Sequence, residues 1–181
     1  MHAEVTFAGF GGQGIMLAGK LLALAGLEEG REVVWLPSYG PEMRGGTANC
    51  TIMVSDEEIG SPMTGHPYAV IVMNGPSLVK FQPRVRPDGF LLVNTSLIDA
   101  NQVSRSDIDL LLLPANEVAL ELGNDKVANM VALGGYVERT QVVSMESIKQ
   151  SLPKAIAERY HKTIPLNTKA IETGAQLARR G

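Results

Sequence analysis

The chain has one cysteine, Cys50, among 181 residues. A single thiol excludes an internal disulfide and any iron–sulfur cluster held by this chain alone. Cys50 lies in the strand-like run TANCTIMV, where a buried, inert thiol is expected rather than a nucleophile. Long apolar runs are missing too. No stretch approaches the roughly 18 residues that a membrane helix needs. The start, Met1-His2-Ala3, leads straight into a strand pattern without signal-peptide character, so a cytoplasmic location is expected. Basic residues do not cluster beyond Arg179-Arg180, and the net charge is −3, which argues against nucleic acid as a partner. His2, His66 and His161 are far apart and show no metal spacing, so no metal site is expected. No Ser/His/Asp or Cys/His grouping can be assembled, and no catalytic residue is assigned to this chain.

What is present is concentrated near the front. The apolar strand EVTFAGF runs into Gly9-Phe10-Gly11-Gly12-Gln13-Gly14, a G-x-G-x-x-G block followed by a helical stretch. In strand–turn–helix context this suits an anion: glycines let the backbone approach it, and the helix N-terminus offers free N–H groups. A tight turn with close helix packing would account for Gly9 and Gly14. It gives little reason for Gly12 and Gln13, which favours a loop that contacts a ligand or a partner chain. A second block, Ser38-Tyr39-Gly40-Pro41-Glu42-Met43-Arg44-Gly45-Gly46-Thr47, sets one guanidinium among turn-forming residues. Arg44 with the N–H groups of Gly45 and Gly46 could clamp a phosphate or carboxylate. The competing reading is a surface loop with a solvated Glu42–Arg44 pair.

The alternation of elements predicts an α/β fold: a Rossmann-like three-layer sandwich with a mostly parallel sheet and a helical C-terminal segment, in one domain spanning residues 1–181. Strands are expected at 4–8, 31–36, 47–55, 68–73, 89–94 and 109–113, with a short return at 57–60. Helices are expected at 13–29, before Gln82, and at 115–122, 126–137, 147–160 and 167–180. Asn74 and Asn94 end buried strands and are more often turn formers than ligands. A dinucleotide site would need an acidic residue at the end of the second strand, about 20 residues after the glycines. That strand ends Leu36-Pro37-Ser38, and Glu32 lies at its start, so tight NAD binding is not expected.

The two glycine-rich blocks at this spacing resemble the gamma subunit of 2-oxoacid:ferredoxin oxidoreductases, the family of the pyruvate, 2-oxoisovalerate and 2-oxoglutarate enzymes. The likeness continues through Asn74, Val93–Ile98, Pro114-Ala115-Asn116 and Asn129-Met130-Val131-Ala132-Leu133-Gly134, nearly the whole chain. It implies a subunit, inactive alone, of a cytoplasmic complex that oxidatively decarboxylates a 2-oxoacid to acyl-CoA and reduces ferredoxin. It implies partner alpha and beta subunits, with a ferredoxin-like delta subunit in some complexes. Thiamine diphosphate, Mg2+ and iron–sulfur clusters would reside on those partners, and CoA would enter near this unit. The residues of the two blocks expected to contact a ligand or a partner are Gly9, Gly11, Gly12, Gln13, Gly14, Ser38, Tyr39, Glu42, Arg44, Gly45 and Gly46. A short separate chain leans toward 2-oxoglutarate or a branched-chain oxoacid over pyruvate. The other reading is a stand-alone Rossmann-type nucleotide-binding protein.

Overall fold

The computed structural model describes residues 1–38, 47–60 and 65–180. Its centre is a six-stranded sheet in the order β2-β3-β1-β4-β5-β6. The strands are β1 (His2–Phe10), β2 (Glu32–Ser38), β3 (Thr47–Ser55), β4 (Ala69–Val72), β5 (Phe90–Asn94) and β6 (Asp109–Leu113). The strands β1, β4, β5 and β6 pair in parallel. They are the near-continuous apolar runs that burial on both faces demands. Strand β3 runs against both β1 and β2, so the sheet is mixed at one side. The alternation of helix and strand does not reveal that reversal, because β2 follows β1 through a helix as in a parallel unit. The short return expected at 57–60 is not a strand.

Alternate residues of the strands feed two separate apolar clusters, one per sheet face. Val5, Phe7, Ile71 and Leu92 pack beneath α1 (Ile15–Glu28), α4 (Ala128–Thr140) and α6 (Ile164–Ala178). Val70, Val72, Leu91 and Val93 pack with Leu78 and Phe81 of α2 (Gly75–Phe81) on the opposite face. The expected three-layer α/β arrangement is therefore observed. Two further helices complete the larger layer, α3 (Ala115–Glu121) and α5 (Met145–Ala155). Helix α5 stops earlier than the residues 147–160 expected from sequence. Pro153 lies in its last turn, Ile156 is extended, and a 3-10 segment, Glu158–Thr163, leads into α6.

Cys50 is fully buried, and its thiol donates to the Ile15 carbonyl at 3.5 Å. Burial pushes its pKa up to about 12, so the thiolate is not accessible at neutral pH. Its place under α1 is tight: a Cβ on Gly19 would lie 2.5 Å from Cys50 Sγ.

Candidate functional site at the carboxyl edge of the sheet

Chain order reverses across the sheet between β1 and β4. From β1 the chain moves one way, to β2 and β3; β4, β5 and β6 lie on the other side. Open α/β sheets bind their ligands at such a reversal, beyond the strands' carboxyl ends, because the departing loops diverge there and leave a crevice. The first glycine block leaves β1 at this point.

Its turn is held by Gln13. The Gln13 backbone N–H donates to the Phe10 carbonyl at 3.2 Å. The Gln13 Oε1 accepts from the Phe10 N–H at 2.7 Å and from Asn74 Nδ2 at 3.1 Å. Its Nε2 donates to the Met73 carbonyl at 3.3 Å. One amide thus staples the end of β1 to the end of β4. Gly12 and Gly14 have φ of +93° and +72°, a region glycine enters without steric cost. The turn therefore requires Gly12 and Gln13 for its own geometry, which the sequence reasoning did not foresee. Their presence is not by itself a sign of a ligand. Gly9 is needed for space, since a Cβ there would lie 2.6 Å from Gln13 Oε1.

Gly14 caps α1 without a side-chain bond, and the first turn of α1 carries no acidic residue. Its N–H groups are left for water or an anion, which the helix dipole favours. A groove of about 330 Å³ lies beside them, lined by Phe10, Gly11, Gly12, Ile15, Leu17 and Ala48.

A carpet of amides continues from Gln13 along the carboxyl edge. Asn74 caps α2 by accepting the Ser77 N–H at 2.9 Å. Asn94, fully buried, accepts the Ala115 N–H at 3.0 Å and donates to Asn116 Oδ1 at 2.7 Å and to the Met73 carbonyl at 3.3 Å. Both asparagines do the turn-forming work expected of them. Asn129, near the start of α4, donates to the Gly14 carbonyl at 3.0 Å, and its Oδ1 is buried without a partner among the described residues. A cleft of about 120 Å³ opens here, lined by Gly12, Gln13, Met73, Asn116, Asp125, Lys126 and Ala128. Asp125 and Lys126 were not anticipated from sequence. They sit in a 3-10 turn before α4, and only the fold carries that turn back to β1.

The second block approaches the same edge. The register sets Phe10 opposite Thr47, Gly9 opposite Ala48, and Ser38 opposite Asn49. The chain thus leaves β2 and re-enters β3 beside the end of β1. Ser38 is exposed at that edge. Tyr39, Glu42, Arg44, Gly45 and Gly46 lie outside the described residues.

The register also bears on nucleotide binding. In a dinucleotide fold the second strand adjoins the first; here β3 lies between them. The end of β2 is two strand spacings, about 10 Å, from β1, and it carries Ser38 rather than a carboxylate.

The model of the pyruvate ferredoxin/flavodoxin oxidoreductase family matches residues 4–177. The chain belongs to that family. It is 36% identical over 180 residues to the ketoisovalerate oxidoreductase subunit VorA of Methanothermobacter marburgensis, covering 99% of this chain and 37% of that one. It is 35% identical over 191 residues to the 2-oxoglutarate synthase subunit KorC of the same organism, covering 100% and 99%. This family member thus spans little more than a third of the first relative's length and nearly all of the second. Its fold matches the gamma subunit of a keto/oxoacid ferredoxin oxidoreductase from Geobacter sulfurreducens, with a TM-score of 0.85, 30% identity and 99% coverage of both chains.

Within this family member, two glycines make distinct expectations. Gly14→Ala would force a left-handed backbone and place a Cβ 2.4 Å from Asn129 Nδ2. Gly12→Ala meets nothing within 4 Å and carries only the backbone strain. We expect Gly12→Ala to cost about 1–2 kcal/mol and Gly14→Ala clearly more. Urea unfolding of the two variants checks the order. Equal losses would mean that the Gly14–Asn129 contact adds nothing.

Proposed function

We propose that this chain is the gamma-type unit of an enzyme that oxidatively decarboxylates a 2-oxoacid to its acyl-CoA and reduces ferredoxin. The observation that carries the reading is likeness over the full length of a 2-oxoglutarate synthase subunit, together with the family match. The partners are the alpha and beta chains, joined in some complexes by a ferredoxin-like delta chain. Thiamine diphosphate, Mg2+ and the iron–sulfur clusters belong to those partners. The donor set of this chain does not suit a cluster: its one thiol is buried against a backbone carbonyl and held protonated. Relatives named for ketoisovalerate and 2-oxoglutarate support a branched-chain oxoacid or 2-oxoglutarate as substrate over pyruvate.

The role of this unit is to present its carboxyl edge to CoA or to a catalytic partner. The uncapped start of α1 suits a phosphate or carboxylate, and the neighbouring groove suits an apolar segment. Gly9 and Gly14 shape the turn, Gly11 and Gly12 expose its backbone, and Gln13 fixes it to β4. Ser38, Tyr39, Glu42, Arg44, Gly45 and Gly46 supply the second contact, with Arg44 as the cation. The stand-alone nucleotide-binding reading has no specific observation in its favour.

Arg44→Ala tests the role. A charge-assisted hydrogen bond contributes about 1.5–3 kcal/mol, and the upper figure is roughly a hundredfold in rate. In the assembled complex the variant should lower acyl-CoA formation by up to that factor, while thermal melting of the isolated chain barely moves. Gel filtration must show that the complex still assembles. Lost assembly with normal CoA dependence would assign the loop to the subunit interface. Unchanged turnover would leave Arg44 as a solvated surface residue.

A further inference from the structure

A second cavity lies at the opposite, amino edge of the sheet, away from everything the proposed function uses. It has a volume of about 190 Å³ and is lined by His2, Ala3, Tyr68, Arg86, Tyr136 and Thr140, with Met1 and Val142 completing the wall. These residues come from the start of β1, the approaches to β4 and β5, and the end of α4. The topology alone brings them together.

Its polar groups differ in burial: Tyr136 is enclosed, whereas Arg86 and Tyr68 stand exposed at the rim. Tyr136 is only 1% exposed, and its ring is fixed between Phe7 (centroids 6.2 Å apart) and Phe90 (5.8 Å). That packing leaves the phenol no freedom to swing away from the cavity it lines. Burial pushes its pKa up, with the Thr140 hydroxyl and the Tyr68 ring close by, so the phenol keeps its proton and can donate. Arg86 packs over Tyr68, with its guanidinium carbon 5.7 Å from the ring centroid. The turn carrying Arg86 is held at both ends: its N–H donates to the Pro67 carbonyl, and its carbonyl accepts from the Gly89 N–H.

Arg86 is 47% exposed, so its guanidinium is open to solvent and to a ligand entering at the rim. Its ion-pair partner is Glu4, at 4.0 Å, beyond direct hydrogen-bond length. Glu4 is 4% exposed, and its Oε1 is buried without a hydrogen-bond partner among the described residues. Burial raises the Glu4 pKa, against the pull of Arg86. An arginine offers five N–H donors in a planar fork, and one distant carboxylate does not use them.

We propose that this cavity binds a small carboxylate with a short aliphatic tail, the carboxylate held by Arg86 and the hydroxyls of Tyr68 and Tyr136. The planar fork suits a carboxylate in bidentate fashion, and the fixed Tyr136 hydroxyl adds a donor from within the cavity. The tail lies against Ala3, Val142 and Met1. A cavity mostly apolar, with a few convergent polar groups, has the usual make-up of a small-molecule site. The site is separate from the carboxyl-edge cleft, so its failure would not touch the proposed function.

Titration of the full 181-residue chain with sodium isobutyrate, followed by calorimetry and by amide chemical shifts, tests it. Saturable binding is expected, with the largest shifts at residues 2–4, 68, 86 and 136–142. Arg86→Gln should weaken it about tenfold or more, and Tyr136→Phe severalfold, each with an unchanged far-ultraviolet spectrum. Isobutylamine, with the same tail and the opposite charge, should not bind there. The proposal is overturned by no saturable shift at these residues, by equal binding to Arg86→Gln, or by inorganic phosphate binding as well as isobutyrate.

Discussion

Replacing Gly134 or Gly174 with alanine should destabilise this protein more than a methyl added at any other described glycine. Helices α4 and α6 cross with backbone against backbone. A Cβ on Gly134 would lie 2.0 Å from the Ile171 carbonyl oxygen, and one on Gly174 would lie 1.9 Å from that of Val131. The obstacles are main-chain atoms inside helices, so no side chain can turn aside. Relief requires the helices to separate, which opens the contacts of Val131, Leu133, Ala170 and Ile171, all fully buried. Overpacking typically costs 1–3 kcal/mol, occasionally more, and this case belongs at the upper end, about 3 kcal/mol. For a chain of this size that is a fall in melting temperature of roughly 6–12 °C. Gly174→Ala should behave alike. The double variant should cost less than the sum, because one separation relieves both clashes. Gly75→Ala is the control: nothing lies within 4 Å of its Cβ and its φ is not positive. Thermal melting that ranked Gly75→Ala with Gly134→Ala would contradict the close crossing.

The second large effect is expected at Asn94. Asn94→Leu keeps the branching of the side chain, with bulkier ends, and removes an amide that serves three partners. The Met73 carbonyl retains its bond from Gln13, and Asn116 is half-buried, within reach of water. The Ala115 N–H, at the start of α3, loses the only side-chain acceptor it has among the described residues. A buried donor left unpaired, with the lost bonds, should cost about 3 kcal/mol. The loss should also be structural in a directed way. The start of α3 positions Asn116 on the wall of the carboxyl-edge cleft, so amide shifts at residues 12–13, 73–74 and 115–116 should move together. Urea unfolding measures the first expectation and heteronuclear spectra the second. A loss below 1 kcal/mol with shifts confined to residues next to 94 would mean that water replaces the amide there.

Much of this arrangement was legible in the chain itself. The runs AVIV, FLLVN and DLLLL could only be strands buried in a sheet, because nearly every residue is apolar at strand length. Gly9 and Gly14 marked a tight turn between β1 and α1. Two glycine-rich blocks at this spacing carried the family resemblance. Lone Cys50, in an alternating strand, was legible as a core thiol. These are local properties: period, propensity and the steric demands of one turn.

The tertiary structure decided what depends on who becomes whose neighbour. The reversed direction of β3 and its insertion between β1 and β2 follow from sheet pairing, which no local period encodes. Gln13 read as a candidate ligand contact and proves to be the staple of its own turn, because its partners at Met73 and Asn74 are 60 and 61 residues away. The necessity of Gly134 appears only when α6 crosses it. Glu4 read as the opening of a strand; burial beside Arg86, with one carboxylate oxygen unpaired, is a property of the folded edge alone. Sequence fixes what each segment can be, through backbone sterics and apolar spacing. Which polar atoms meet, and so where chemistry can occur, is set by packing that joins residues far apart in the chain.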